Sequence, residues 1–269
     1  MNALLSILFY IYFFVGSAVW SAVLAVIVFV HAKKDSLRKL AHHLTSDFAY
    51  NCIKLNRSWK CNFQGLEHID DSKTYVFVAN HQSMADVLVL CGIKKLYKWV
   101  AKVQVMSLFG VGHLMRVNQY ISIEHKSISS VRRMLKQGRH WLKQGVSIFI
   151  FPEGERSHDG NLLHFKEGPF RMAADCDVPV VPIVIEGTRK ILPRSRMILN
   201  FRADVQVKVL PPVYPSQFNY DVLALRDHVR ELIAAELDAM RGVHIVHGAE
   251  FGVTRISERC DSARAHQAS

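Results

Sequence analysis

The first 32 of the 269 residues contain no Asp, Glu, Lys or Arg. No polar stripe breaks the apolar run from Leu4 to Val30, which disfavours a helix of an ordinary soluble core. No basic residue precedes the run and no small-residue cleavage site follows it, which argues against a removable secretion signal. Cysteines are few and scattered: Cys52, Cys61, Cys91, Cys176 and Cys260, an odd number with no C-x-x-C pair. That excludes a zinc ribbon and a disulfide framework, and it fits reduced thiols in a cytosol-facing domain. The histidines lack ligand spacing apart from the adjacent His42-His43, which an amphipathic surface helix explains, so no metal is expected. No internal repeat or low-complexity tract is visible, which excludes solenoids.

What is present is positive charge. Lys and Arg number 34 against 23 Asp and Glu, a net charge of +11. Such an excess favours an anionic partner: nucleic acid, an anionic membrane surface or a phosphorylated substrate. The basic residues form no nucleic-acid module with interleaved aromatics, so nucleic acid is not expected as a partner. A bilayer core needs about 20 residues of helix, and Leu4 to Val30 is long enough to span it once with tilt. A shallow hairpin bending near Gly16-Ser17 is the alternative. Lys33, Lys34, Arg38 and Lys39 follow, and the positive-inside rule keeps the remaining chain on the cytoplasmic side. The organisation expected is a membrane anchor over 1–32, a basic amphipathic helix on the membrane surface over 33–59, an α/β domain over 60–242, and a polar, loosely ordered tail over 243–269.

Within 60–242 strand and helix patterns alternate. Strands are expected over 60–66, 75–78, 98–101, 120–123, 147–151, 179–185 and 201–210, and helices over 84–93, 103–109, 127–144, 166–176 and 217–240. This alternation predicts an α/β fold with a mixed, largely parallel sheet covered by helices. Its centre is Thr74 to Leu90. The run Tyr75-Val76-Phe77-Val78 ends at Asn80-His81, Ser83 can cap the next helix, and Asp86 follows. The strand delivers His81 to its carboxyl end, where open α/β sheets place ligands. On an ideal helix, positions five apart lie about 140° from each other. His81 and Asp86 can therefore meet only if His81 lies in the non-helical lead-in and folds back over the first turn. A carboxylate would then hold one ring nitrogen and leave the other as a base.

A second strand end, Ser147 to Phe151, runs into Pro152-Glu153-Gly154-Glu155-Arg156-Ser157. Gly154 permits close backbone approach to a ligand, and Arg156 offers a planar fork for phosphate oxygens. Glu153 can orient Arg156 or accept a bond from a hydroxyl. Phe165-Lys166-Glu167-Gly168 places a further cation before a helix.

Four motifs occur in order: Asn80-His81-x-x-x-x-Asp86, Phe151-Pro152-Glu153-Gly154-x-Arg156-Ser157, Phe165-Lys166-x-Gly168, and Val178-Pro179-Val180-Val181-Pro182-Ile183. With them the chain resembles the glycerophospholipid acyltransferase family, most of all bacterial lysophosphatidic acid acyltransferases. The resemblance covers roughly Lys60 to Pro212. It implies that His81 is the general base and Asp86 its orienting partner. It implies that Glu153, Gly154 and Arg156 belong to the acceptor-phosphate motif, that Lys102 helps to hold a phosphate, and that Pro179 and Pro182 shape the wall of an acyl groove. It implies acyl transfer from acyl-CoA or acyl carrier protein to the sn-2 hydroxyl of lysophosphatidic acid, with no further cofactor, at the cytoplasmic side of a cell inner membrane. The phospholipid bilayer, lysophosphatidic acid and the acyl donor are then the partners. Two positions depart from the family pattern. Glu155 stands where Thr is usual, and His125 where arginine is usual. Both leave open another lysolipid acceptor, and a non-catalytic membrane adaptor is the other alternative.

Overall fold

The computed structural model describes residues 2–31, 34–124, 127–195 and 197–242. The expectations for Lys33, His125 and the tail over 243–269 lie outside the described residues. In chain order the elements are α1 (Asn2–Val30), α2 (Lys39–Lys54), β1 (Trp59–Gln64), β2 (Val76–Ala79), α3 (Ala85–Leu90), β3 (Tyr97–Lys102), α4 (Val103–Met106), α5 (Val111–Val117), β4 (Ile121–Ile123), α6 (Ile128–Lys143), β5 (Ser147–Ile150), α7 (Gly168–Cys176), β6 (Val180–Glu186), α8 (Thr188–Ile191), β7 (Ala203–Val209) and α9 (Val222–Met240).

The strands form one seven-stranded sheet in the order β1-β7-β6-β2-β5-β3-β4. Every neighbouring pair is parallel except β6 with β7, so the sheet is mixed and largely parallel. The central strands are apolar on both faces because helices cover both. Phe77 and Ala79 of β2 point into a core with Ile53, Val89 and Leu90 of α2 and α3. Val76 and Val78 point the other way, against Met134, Leu142, Phe170 and Val229 of α6, α7 and α9. Because β2, β5 and β3 are adjacent and parallel, their carboxyl ends share one edge of the sheet.

Several expectations are corrected, but the amino-terminal helix is not among them. Only the alternative hairpin near Gly16-Ser17 is ruled out: the segment is one continuous helix. Its buried serines turn inward along the helix, as Ser17 Oγ donates to Phe13 O at 2.6 Å. Gly16 lies against the Phe48 ring, and Gly110 approaches the backbone at Ser17 and Ala18 too closely to carry a side chain. The helix expected over 33–59 is α2 alone, from Lys39 to Lys54. His42 is not on its solvent face. It is fully buried, with Nδ1 at 2.9 Å from Tyr120 Oη and Nε2 at 2.9 Å from Lys95 O. The helix expected over 103–109 stops at Met106, and α5 resumes after Gly110 at positive φ. The last helix begins at Val222, where Asp221 accepts from the Leu223 and Ala224 amides; Pro215–Phe218 before it is a 3-10 turn.

Candidate active site

Asn80 extends the sheet beyond the end of β2 with its side chain. Its Nδ2 donates to Ile185 O and its Oδ1 accepts from Ile185 N, each at 2.9 Å. This clamp fixes where the chain leaves the sheet. The next residue, His81, lies in the lead-in to α3 and folds back over its first turn. Its Nδ1 lies 2.8 Å from Asp86 Oδ2. Asp86 is completely buried, and the same Oδ2 accepts from the Gln82 and Ser83 amides at 2.7 and 2.8 Å. Fixed backbone donors thus aim the carboxylate, and the carboxylate aims the imidazole. Nδ1 must donate to a carboxylate, so in the neutral ring Nε2 carries the free lone pair. Nε2 has no hydrogen-bond partner among the described residues, and the side chain keeps 13% of its surface open. Ser83 is not the N-cap, which falls at Met84; its Oγ accepts from Ala85 N at 3.2 Å and donates to Leu192 O at 2.8 Å.

The register of β2 with β5 sets Val78 beside Ile150 and brings the turn after β5 to the same point. Phe151 lies flat against the His81 ring, with centroids 3.9 Å apart and planes within 12°. Trp99 backs Phe151 at 5.7 Å. Ser157 N donates to His81 O at 2.8 Å, which locks the Glu-Gly-Glu-Arg turn onto the histidine.

Glu153 does not orient Arg156. Its Oε1 accepts from His81 N at 2.7 Å and its Oε2 from Leu163 N at 2.9 Å, so both oxygens hold backbone rather than Arg156. It is buried, and burial pushes its carboxyl up to about 7 against the pull of those two amides. Gly154 has φ of 73°, and a Cβ there would overlap the Lys166 ammonium. The turn therefore meets a cation through bare backbone. The Arg156 guanidinium is part-buried, and burial followed by the neighbouring Arg194 lowers its pKa. Lys102 ends β3 at the same sheet edge, where it pairs with Ile123 of β4. Pro182 lies within β6 beside Val78, and Pro179 just precedes that strand, its carbonyl accepting from Val76 N at 3.0 Å.

Three residues at this edge carry no mark in the sequence. Arg194 donates to Arg156 O and lies 3.5 Å from Glu155 Oε2. Gln82 Nε2 donates to Ile185 O and Glu186 Oε2, at 2.9 and 3.0 Å. Arg241 holds the same Glu186 oxygen at 2.6 Å and Gly160 O at 2.9 Å. Among the described residues no group of three or more His, Cys, Asp or Glu is arranged to hold a metal ion.

A buried acid that fixes an imidazole, next to a turn of cations, is an arrangement that can deprotonate a hydroxyl beside an anionic group. Comparison with known proteins agrees with it. The family model described as Acyltransferase matches residues 60–186. The chain is 35% identical over 206 residues to a chloroplastic 1-acyl-sn-glycerol-3-phosphate acyltransferase of Brassica napus, covering 76% of this chain and 58% of that protein. This chain therefore spans less than two thirds of the Brassica protein's length. It is 30% identical over 244 residues to a 1-acyl-sn-glycerol-3-phosphate acyltransferase of Chlamydomonas reinhardtii, covering 88% of this chain and 71% of that one. The crystal structure of the 1-acyl-sn-glycerophosphate acyltransferase from Thermotoga maritima superposes with a TM-score of 0.78 at 25% identity, over 93% of this chain and 98% of that one. With the same fold, and with identity maintained over most of a relative's length, the chain belongs to the acyltransferase family that includes the 1-acyl-sn-glycerol-3-phosphate acyltransferases.

Proposed function

We propose that this protein transfers a fatty acyl group from a thioester, acyl-CoA or acyl carrier protein, to the sn-2 hydroxyl of lysophosphatidic acid, giving phosphatidic acid. The contact between His81 Nδ1 and Asp86 Oδ2 at 2.8 Å carries this reading. An alcohol is a poor nucleophile at neutral pH. In this mechanism His81 Nε2 takes its proton as the oxygen attacks the thioester carbonyl, and Asp86 steadies the imidazolium that forms. The tetrahedral intermediate then expels the thiolate, which recovers the proton from Nε2. No acyl group passes through the protein. Arg156 and Lys166, with Lys102 at the same edge, hold the acceptor phosphate. Glu153 holds the turn in place. Glu155 faces Arg194 at 3.5 Å, a cation beside it at the same edge.

The acceptor resides in a bilayer, and α1 offers a surface for one. This helix is long and apolar enough to cross a membrane. One side of it is fastened to the α/β body: Leu199 N donates to Ser6 Oγ at 2.9 Å, and Leu24 is buried with Ala41 and Leu114. The outward side exposes Leu8, Ile11, Val15 and Val19, and Phe109, next to the close approach of Gly110, is 72% exposed. In our reading this apolar side lies in the cytoplasmic leaflet of a cell inner membrane, with Lys34 and Lys39 among the head groups, and the active site opens beside it. The test is His81→Ala with folding verified by melting temperature. Loss of transfer to lysophosphatidic acid is expected; a rate near that of the unaltered protein refutes the role.

A further inference from the structure

The turn after β5 gathers more like charge than a resting site tolerates cheaply. Gly154 rests against the Lys166 ammonium, and the Arg156 and Arg194 guanidiniums are neighbours. Arg194 is held there by design of the backbone around it. Ser83 Oγ donates to Leu192 O at 2.8 Å, which pins the segment leading to Arg194 to the lead-in that carries His81. One guanidinium nitrogen of Arg194 donates to Arg156 O. The other reaches Glu155 Oε2 at 3.5 Å, longer than the 2.7–2.9 Å of a charge-assisted bond. Glu155 is half exposed and makes no other polar contact among the described residues. Glu153, by contrast, is fully committed to the backbone. Glu155 is therefore a loosely held counter-ion on a well-held arginine.

We propose that Arg194 is a second phosphate-binding guanidinium, and that Glu155 occupies it only until a phosphomonoester head group arrives. This rests on the acyl-transfer reading above and names the acceptor class that the site selects. A phosphomonoester carries about −1.5 to −2 at neutral pH and has three free oxygens, enough to engage two guanidinium forks at once. A phosphodiester carries a single charge and two free oxygens, so it cannot offer a bidentate face to both arginines. The carboxylate yields to the first and not to the second. The departure from the family pattern at Glu155 then becomes a selectivity element: the weak internal anion sets a threshold that only the more highly charged head group passes.

The full-length protein in neutral detergent micelles tests this with Arg194→Gln and Glu155→Gln. Two readouts are used. One is KM and kcat with an acyl-CoA and either lysophosphatidic acid or lysophosphatidylglycerol; the other is binding of each lipid without donor, followed by tryptophan fluorescence. R194Q is expected to raise KM and Kd for lysophosphatidic acid about 10- to 100-fold, the loss of a charged hydrogen bond, with kcat nearly unchanged and the phosphodiester lipid little affected. E155Q is expected to move the other way, tightening both lipids by up to about fivefold, the weight of an exposed ion pair. E155Q raising KM as R194Q does would make the pair a structural brace and overturn the proposal. So would R194Q weakening both lipids equally. If R194Q melts early, Arg194→Lys, which keeps the charge but not the fork, replaces it with an expected loss of about tenfold. Selective binding without turnover on any thioester sinks the acyl-transfer reading and leaves this inference standing. Turnover with equal affinity for the two head groups does the reverse.

Discussion

Glu153 supports His81 through its backbone and not through its ring: Oε1 accepts from the His81 amide at 2.7 Å while Oε2 accepts from the Leu163 amide at 2.9 Å. The carboxyl thus joins two loops across the mouth of the site. Burial raises its pKa to about 7 from the ordinary 4.5. Between those values the folded protein holds a proton that the unfolded chain has lost. Stability is therefore greatest below pH 4.5 and falls as pH rises through about 7, by roughly 3 kcal/mol in all from this group. Glu153→Gln removes the titration. Denaturant melts from pH 4.5 to 8 are expected to show the slope in the unaltered protein and to lose it in the variant, whose kcat falls because an amide cannot accept at both ends.

Asp86→Asn separates orientation from charge. Oδ2 accepts three bonds, from His81 Nδ1 and the Gln82 and Ser83 amides. An asparagine with its oxygen toward the two amides can still accept from the ring, but it leaves the imidazolium without a counter-charge. kcat is expected to fall about 10²–10⁴-fold with KM for the acceptor almost unchanged. A kcat within threefold of the unaltered protein would remove Asp86 from the mechanism.

Lys98 is wholly buried on β3. Its Nζ donates to Leu37 O at 2.8 Å and Asn118 O at 2.9 Å, and it lies 4.5 Å from the centroid of Trp141. It ties the lead-in of α2 and the end of α5 to the sheet. Burial lowers its pKa to about 8 from 10.5, so the unfolded chain binds the extra proton between those values. Stability from this group is expected to rise with pH from about 8 to 10.5. Lys98→Met abolishes that rise and leaves one buried and one part-buried carbonyl unpaired, at about 2–5 kcal/mol measured by denaturant unfolding near pH 7.

The parts of this molecule that were legible in its sequence are those fixed by local spacing. The meeting of His81 and Asp86 follows from a strand end, a cap and a short helix, all within one turn of chain. The alternation of strands and helices carried the sheet, because burial on both faces leaves continuous apolar runs such as Val76 to Ala79. What could not be read depends on distant segments. Glu153 meets the His81 amide across 72 positions, and Arg194 meets the turn at Arg156 across 38. Neither residue type announces such a partner. His42 was misplaced for a subtler reason. An adjacent histidine pair suggests a wet face, yet Ala41, His42, Thr45 and Ser46 are all buried. Small and hydroxyl-bearing residues can make a buried stripe when a neighbouring helix packs closely, and they give little hydrophobic signal. The short helix α5 follows Gly110 and contains Gly112, and α8 follows Gly187 and precedes Pro193, where turn chemistry masks one or two helical turns.

The outward side of α1 offers the sharpest test of how the protein meets a bilayer. Val15 and Val19 lie one turn apart and are 54% and 60% exposed, whereas Ser17 and Ser21 beside them are buried against the body. Replacing both valines with lysine therefore costs little in packing. In hydrocarbon each charge costs about 2.5–3.5 kcal/mol, enough for the pair to abolish partitioning. The double variant V15K/V19K is expected to melt at the temperature of the unaltered protein, yet to remain below vesicles of neutral lipid in a flotation gradient at high salt. Gln137→Lys, a single added lysine on the exposed side of α6 against the opposite sheet face, is the control and is expected to float. High salt matters because it screens the basic surface, leaving apolar contact as the force that lifts the protein with the lipid. Flotation of V15K/V19K to the level of the control would move the membrane contact away from this side of α1, and with it the account of how a bilayer-bound acceptor reaches His81.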